Sequence, residues 1–159
     1  MEIDVKLRTM QAVENFKMGF NCAQSVALAY ADLYEVDLET IKQISASFGG
    51  GMGRLREVCG AATGAFMILG MEHPATDPND QSRKIDNYTA VQSLGLQFKE
   101  KLGSYICADL LKLERIPQEP IPDERNSDYY AQSPCAYFVA VGAELLGNEI
   151  NKSRKALVD

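Results

Sequence analysis

Apolar residues recur at helical spacing along nearly the whole chain, and no segment alternates apolar and polar residues as a half-buried strand would. The first stripe runs in steps of three or four residues through Ile3, Leu7, Met10, Val13, Phe16 and Phe20. Comparable stripes follow in the segments 21–33, 38–48, 56–71, 85–102, 104–113 and 135–152. These stripes predict an all-α protein, a single domain over residues 1–159 folded as a helical bundle of six or seven helices.

Short polar residues and glycines indicate where several of these helices begin and end. Asn21 is a favoured N-cap, and Ser133 followed by Pro134 suits the start of the last helix. Three consecutive glycines, Gly49–Gly51, have low helix propensity and would destabilise a helix, so we expect the chain to turn there. Segment 116–132 is proline-rich, acidic and aperiodic, and we expect it to be a long loop of the kind that is often functional.

Charge and hydropathy exclude several classes of function. The chain has 22 acidic and 16 basic residues and a net charge of -6, and no basic cluster predicts binding to nucleic acid. No run of apolar residues is long enough for a membrane span, and the charged N-terminal segment does not read as a signal peptide. We therefore expect a cytoplasmic protein, in which cysteines more often bind metal or exchange disulfides than form permanent cross-links.

The four cysteines, Cys22, Cys59, Cys107 and Cys135, are widely spaced and form no CxxC pair. Their spacing alone therefore supports neither a zinc finger nor a thioredoxin-type motif. Each one falls near the beginning of a predicted helix, where the positive end of the helix dipole favours a thiolate over a thiol. We expect all four to converge on one electropositive site as catalytic thiolates or metal ligands, although buried cysteines often serve only as small core residues.

A small-residue pattern surrounds the second cysteine. Cys59 opens the run Cys-Gly-Ala-Ala-Thr-Gly, in which Gly60 and Gly64 lie on one helix face and let another backbone approach closely. Each glycine costs roughly 1 kcal/mol of helix propensity. The cost is understandable if a second cysteine-bearing helix or a cofactor must come near Cys59, and tight helix packing alone is the alternative.

The glycine-rich turn before this helix is a second candidate for cofactor binding. Its backbone N–H groups around Gly50 and Gly51, helped by Arg54 and Arg56, could cradle an anion. No strand precedes the turn and no GK[ST] follows it, so it is neither a P-loop nor a dinucleotide-binding motif. We favour a tight turn that presses against the cysteines and adds positive charge beside them.

Taken together, these segments resemble the family of redox-active proteins named for its C…CGAxxG…C…C pattern. The resemblance covers about 19–147 and is carried by 20–24, 48–54, 59–64, Cys107 and Cys135. The chain is also similar to the N-terminal region of split-Soret cytochromes, which carry an iron–sulfur centre as well as haem. No CxxCH is present, so covalent haem is not expected. The resemblance implies a redox partner, a homodimer, and a [2Fe–2S] cluster or another thiophilic metal on the four cysteines.

Two redox mechanisms and one unrelated function remain open at this point. Two of the cysteines could cycle between thiols and a disulfide, or all four could ligate a metal centre and transfer electrons. The alternative is a helical interaction or regulatory module whose cysteines are core residues. These hypotheses differ in where they place the sulfur atoms, since core cysteines would be scattered among separate apolar pockets.

Overall fold

The computed structural model describes residues 1–158, which contain eight right-handed α-helices. They are α1 (Val5–Lys17), α2 (Cys22–Leu28), α3 (Leu38–Ala46), α4 (Gly60–Glu72), α5 (Gln81–Leu102), α6 (Cys107–Leu111), α7 (Ser127–Gln132) and α8 (Cys135–Ala156). A short 3₁₀ helix, Ala31–Leu33, follows α2. Extended pairing in these residues is limited to one isolated antiparallel bridge between Val58 and Ile106. The predicted all-α fold is confirmed.

The helix borders agree with the sequence signals in most places. Asn21 caps α2 with a capping box, in which its side chain accepts from the Gln24 N–H and the Gln24 side chain accepts from the Asn21 N–H. Gly103, with φ of +93°, ends α5 in the left-handed conformation. Cys135 is the first residue of α8, and its N–H donates to the Ser133 hydroxyl.

The segment 116–132 is not the uninterrupted loop expected from its sequence, because α7 occupies its last six residues. Asn126 caps α7 by accepting from the Tyr129 N–H. Tyr129 and Tyr130 then pack their rings against Phe16 of α1. Two adjacent tyrosines give no helical periodicity, so the helix depends on the Asn126 cap and on this tertiary contact.

The core lies where α8 contacts α1, α2, α4 and α5. Helix α4 is apolar nearly all round and most of its residues are buried, as expected of a helix enclosed by α2, α5 and α8. The largest fully buried side chains of the core are Phe16, Tyr30, Ile41, Ile68, Leu69, Leu94, Phe98, Leu146 and Ile150.

Glycines bring three of these helices into backbone contact. A Cβ atom on Gly64 of α4 would lie 2.5 Å from the carbonyl oxygen of Ala23 in α2. A Cβ atom on Gly142 of α8 would lie 2.7 Å from the carbonyl oxygen of Ala61 in α4. Larger side chains would hold the helices apart, so glycine at these crossings lets the beginnings of α2, α4 and α8 meet at one cleft.

In residues 1–158 no helix combines the length and the apolar character that crossing a bilayer requires.

Candidate functional site

All four cysteines line one cleft of about 690 Å³. Cys22, Cys107 and Cys135 are the first residues of α2, α6 and α8, and Cys59 is the N-cap residue directly before α4. None of the four forms a disulfide bond. The helix beginnings that the sequence predicts are therefore where the cysteines lie, and the folded chain brings them together.

A left-handed turn forms one wall of the cleft. Gly50 and Gly51 have φ of +68° and +64°, a conformation that glycine adopts without the steric cost paid by other residues. A Cβ atom on Gly51 would stand 2.6 Å from the Cβ atom of Cys107. The turn thus presses directly against the cysteine cluster, as the sequence analysis favours.

The left-handed backbone continues into two arginines. Arg54 and Arg56 have φ of +68° and +61°, which costs roughly 1–2 kcal/mol for each L-residue. Arg56 is only 6% exposed, and its guanidinium donates to the Cys107 sulfur at 3.4 Å and to the Gln118 side-chain oxygen at 2.9 Å. Strained backbone of this kind persists where the surroundings enforce it, commonly at functional sites; here it directs two cationic side chains into the cleft.

Cys59 and Cys107 form the inner part of the cysteine cluster. The Cys59 N–H donates to the Tyr105 carbonyl at 2.8 Å, and the Cys107 N–H donates to the Glu57 carbonyl at 2.6 Å. These bonds flank the Val58–Ile106 bridge, and in such an antiparallel pairing Cys59 and Cys107 are diagonal neighbours on one face. They are 4% and 7% exposed.

Burial keeps the two inner cysteines protonated at neutral pH. It raises the pKa of Cys59 to about 12. It also raises the pKa of Cys107, although the guanidinium of Arg56 acts in the opposite direction. A helix beginning favours a thiolate, yet removal of the sulfur from water outweighs that effect at both residues.

Cys22 and Cys135 form the outer part of the cluster and are both partly exposed. The hydrogen bond from the Cys22 thiol is the largest cause that lowers the pKa of Cys135, to about 6, and it outweighs the opposing effect of burial. Hydrogen bonds from Ser133 and Tyr129 and the charge of Arg125 act in the same direction. The proton that Cys22 shares with Cys135, together with burial, raises the pKa of Cys22 well above its ordinary value.

The expectation that all four cysteines lose their protons is therefore wrong for three of them. Cys135 is the one cysteine of the cluster whose thiolate is favoured at neutral pH, with Cys22 as its hydrogen-bond donor. The sequence analysis attributes thiolate stabilisation to the helix dipole, whereas in the folded chain the Cys135 thiolate is stabilised by the neutral Cys22 thiol and three neighbouring polar groups.

Sequence reasoning missed Arg125 as a group that acts on Cys135. From the sequence, Tyr129 is expected only to line the site, as it does, and Ser133 only to cap the last helix. Arg125 is the single basic residue in the segment 116–132, which is the only signal that could have singled it out. Its guanidinium packs over the Phe16 ring at 4.1 Å and donates to the Phe16 carbonyl at 3.0 Å. That packing fixes the segment over the cleft.

The glycines and the arginine predicted to bind a cofactor divide into two groups. Gly50, Gly51, Gly60 and Arg54 line the cleft. Gly64 does not line it and instead allows the contact between α4 and Ala23 of α2. Gly64 thus corresponds to the packing alternative considered for the Cys-Gly-Ala-Ala-Thr-Gly run.

The side chains of residues 1–158 form no ready-made site for the metal centre that the resemblance implies. Within residues 1–158, no three histidine, cysteine or carboxylate side chains are grouped so that they could hold a metal ion. The four cysteines share a cleft, but a metal or iron–sulfur cluster needs its sulfur ligands arranged about a common centre. The arrangement also differs from scattered core cysteines, so the interaction-module alternative gains no support from it.

Comparison with known proteins gives one match. A family model described as "Putative redox-active protein (C_GCAxxG_C_C)" matches residues 20–149, and this range includes all four cysteines. The family name spells Gly-Cys-Ala where this chain has Cys59-Gly60-Ala61. No curated protein and no solved structure matches the chain significantly.

Proposed function

Because the chain belongs to the C_GCAxxG_C_C family of redox-active proteins, we propose that it performs thiol–disulfide exchange with Cys135 as the attacking thiolate and Cys22 as the resolving thiol. The observation that carries the proposal is that Cys22 and Cys135 are the two partly exposed cysteines of the shared cleft, at the first residues of two adjoining helices. The lowered pKa of Cys135 beside Cys22 supports it. Thiolates are the nucleophiles of disulfide exchange, and a pKa near ambient pH gives the fastest attack.

The exchange takes place in two steps. The Cys135 thiolate attacks one sulfur of a substrate disulfide, so a Cys135–sulfur bond forms while the substrate S–S bond breaks and its other sulfur leaves as a thiolate. Cys22 then gives up its proton to that leaving group or to water and attacks the Cys135 sulfur. The Cys22–Cys135 disulfide forms, the second substrate thiolate leaves, and two electrons have reduced the substrate. A dithiol reductant restores the pair.

The cleft also accounts for what the remaining cysteines do in this scheme. Cys59 and Cys107 are buried and protonated at neutral pH, which makes them poor nucleophiles. We therefore assign the exchange to Cys22 and Cys135 alone. Cys59 and Cys107 then serve as buried residues of the cleft wall.

Controlled oxidation tests the proposal. The protein is equilibrated in buffers of reduced and oxidised glutathione, its remaining thiols are alkylated, and the linked peptides are identified by mass spectrometry. We expect one disulfide, between Cys22 and Cys135, to form first, and C135S to lose both this disulfide and the reduction of an added disulfide. C59S is the matched control and should retain both. Formation of any other disulfide first, or full activity in C135S, would contradict the proposal.

A thiolate-bound metal is the second chemistry that a four-cysteine cleft can support. The observation in its favour is that all four cysteines line one cleft, and that the thiolate forms of the other three would each act on the pKa of Cys22. Metal binding would require the side chains to move closer together than they are here. Purification without oxygen, followed by iron and zinc analysis and a visible spectrum, tests this, and stoichiometric metal lost in each cysteine variant would favour it.

A further inference from the structure

The cleft is a cationic feature of an acidic protein. Its walls contain three arginines, Arg54, Arg56 and Arg125, and a single carboxylate, Asp123, whereas the chain as a whole has a net charge of -6. Arg54 is the arginine that reaches Asp123, at 3.6 Å. Neither Arg56 nor Arg125 forms an ion pair with a carboxylate of residues 1–158.

Arg56 lacks an anionic partner despite its burial. Its two side-chain hydrogen bonds go to the Gln118 amide oxygen and to the Cys107 sulfur, and the latter belongs to a neutral thiol. Among residues 1–158 no carboxylate lies within ion-pair distance of Arg56, which is 6% exposed. Burying a charge without a counter-ion is costly, so an anion that entered the cleft would be stabilised by a guanidinium already in place.

Arg125 contributes a second guanidinium at the other end of the cysteine cluster. It donates to the backbone carbonyls of Phe16 at 3.0 Å and Phe20 at 3.3 Å, and it contacts the Tyr129 ring at 4.9 Å. None of the ion pairs formed within residues 1–158 includes Arg125. Arg56 and Arg125 thus line the cysteine cleft without a carboxylate partner among residues 1–158, and the charge of Arg125 acts on the Cys135 thiolate.

We propose that the cleft selects small anionic disulfides, with a carboxylate or similar group of the substrate held by Arg56 while its S–S bond meets Cys135. The inference rests on the proposed thiol–disulfide exchange and names the substrate class for it; the covalent steps are those already given. A cleft of about 690 Å³ is in the size range of small-molecule sites. Segment 118–123 covers part of it, since Pro120, Pro122 and Asp123 line it, which favours a small molecule over a folded protein as substrate.

Two aromatic disulfides of similar size provide the test. 5,5′-Dithiobis(2-nitrobenzoate) carries two carboxylates, and 4,4′-dithiodipyridine is neutral at pH 7. The rate of each with Cys135 is measured by stopped flow, with C135S as the blank, and is compared with the rate of 2-mercaptoethanol. For each thiol, the rate constant with the anionic reagent is divided by the rate constant with the neutral reagent. We expect this rate ratio to be about tenfold higher for Cys135 than for 2-mercaptoethanol at low salt, and to fall as salt screens the arginines.

Variants assign the preference to Arg56. R56Q should lower the rate with the anionic reagent by about tenfold and leave the neutral reagent within about twofold. R83Q removes the same charge from an exposed arginine of α5 that does not line the cleft, and it should change neither rate. Circular dichroism checks that R56Q is folded; if it is not, the salt dependence of the wild-type ratio decides, because it requires no variant.

The outcomes separate this inference from the proposed function. Cys135 could react rapidly with both reagents but show the same rate ratio as 2-mercaptoethanol and no salt dependence. That result would overturn the selection of anionic disulfides and leave the exchange chemistry standing. If neither reagent reacts at Cys135 in the wild type, the proposed function fails and the selection fails with it. A high ratio that R56Q and R83Q lower equally would show an effect of overall charge and would overturn the assignment to Arg56.

Discussion

At Cys135 two opposing effects act on a single sulfur atom. Burial favours the neutral thiol, whereas the hydrogen bonds from Cys22, Ser133 and Tyr129 favour the thiolate and prevail. Cys59 has the same residue type and a similar position at a helix beginning, but burial dominates there and raises its pKa to about 12. The protonation state of each cysteine is thus decided by the balance between burial and hydrogen-bond donors rather than by helix position.

Removing the donor to Cys135 should raise its pKa. In C22A the thiolate of Cys135 loses the hydrogen bond that stabilises it most, so its pKa should move from about 6 toward the ordinary value of 9.0. A rise of one to two units would lower the rate of iodoacetamide alkylation at pH 7 by roughly two- to tenfold, since only the thiolate reacts. The measurement is the alkylation rate of Cys135 against pH, followed by mass spectrometry.

C59A is the control for the pH profile. Cys59 does not donate a hydrogen bond to Cys135, so its removal should leave the midpoint near pH 6. The same midpoint in C22A and the wild type would contradict the assignment of Cys22 as the principal donor.

At the scale of the helices, the contact between α2 and α4 sets the positions of two cysteines. Helix α4 begins directly after Cys59, and a Cβ atom on its first residue, Gly60, would lie 3.0 Å from the Cβ atom of Cys22. One turn further along α4, Gly64 meets the backbone of Ala23. The two glycines thus keep α4 against α2 with Cys22 and Cys59 at the same end.

A methyl group added to the buried glycine of this contact should destabilise the protein. In G64A the new Cβ atom would meet the Ala23 carbonyl oxygen at 2.5 Å, and helix backbone cannot easily move away. We expect the free energy of unfolding to fall by roughly 1–3 kcal/mol, as measured by urea denaturation. Gly70 is the matched control on the same helix, because nothing lies within 4 Å of its added Cβ atom. G70A should gain up to about 1 kcal/mol from helix propensity, and a loss equal to that of G64A would contradict the packing argument.

Periodicity and capping residues predict most of these helices, since seven of the eight correspond to stripes of apolar residues in the sequence. Helix α7 could not be predicted, because its tyrosines are stabilised by Phe16 of a distant helix. The beginning of α4 also lies later than the expected Arg56. Arg54 and Arg56 adopt left-handed conformations that L-residues disfavour, and nothing local in the sequence indicates that tertiary contacts would enforce them.

For the whole molecule, the sequence predicts which residues meet but not which of them reacts. The four cysteines and the glycine turn carry the signals that bring the cleft together. The choice of Cys135 depends on Cys22 and on Ser133, Tyr129 and Arg125. The sequence marks Ser133 as a helix cap, but nothing in it indicates that these groups act on the Cys135 sulfur. Their effect on that sulfur becomes visible only in the folded chain.

The thiolate of Cys135 also links the pH to the stability of the whole protein. Its pKa is about 6 in the folded chain against an ordinary value of 9.0, so between these pH values the unfolded chain binds more protons and stability rises with pH. C135S lacks this group. The Tm advantage of the wild type over C135S should therefore be largest near pH 9, decline as the pH falls toward 6, and change by roughly 10 °C across that range.

The pKa of Cys59 shifts on folding in the opposite direction, so Cys59 provides the control for this last measurement. Its pKa is raised to about 12 in the folded chain, so it remains protonated in both states below its ordinary pKa and contributes no pH dependence there. The difference between the wild type and C59S should stay constant from about pH 6 to pH 8 and decline only above about pH 9, where the unfolded chain releases the proton first. Thermal unfolding of the three proteins in a phosphine reductant, which prevents disulfides, gives the comparison. A difference between the wild type and C135S that does not vary with pH would mean that Cys135 is a neutral thiol in the folded chain, and the exchange chemistry proposed for it would lose its nucleophile.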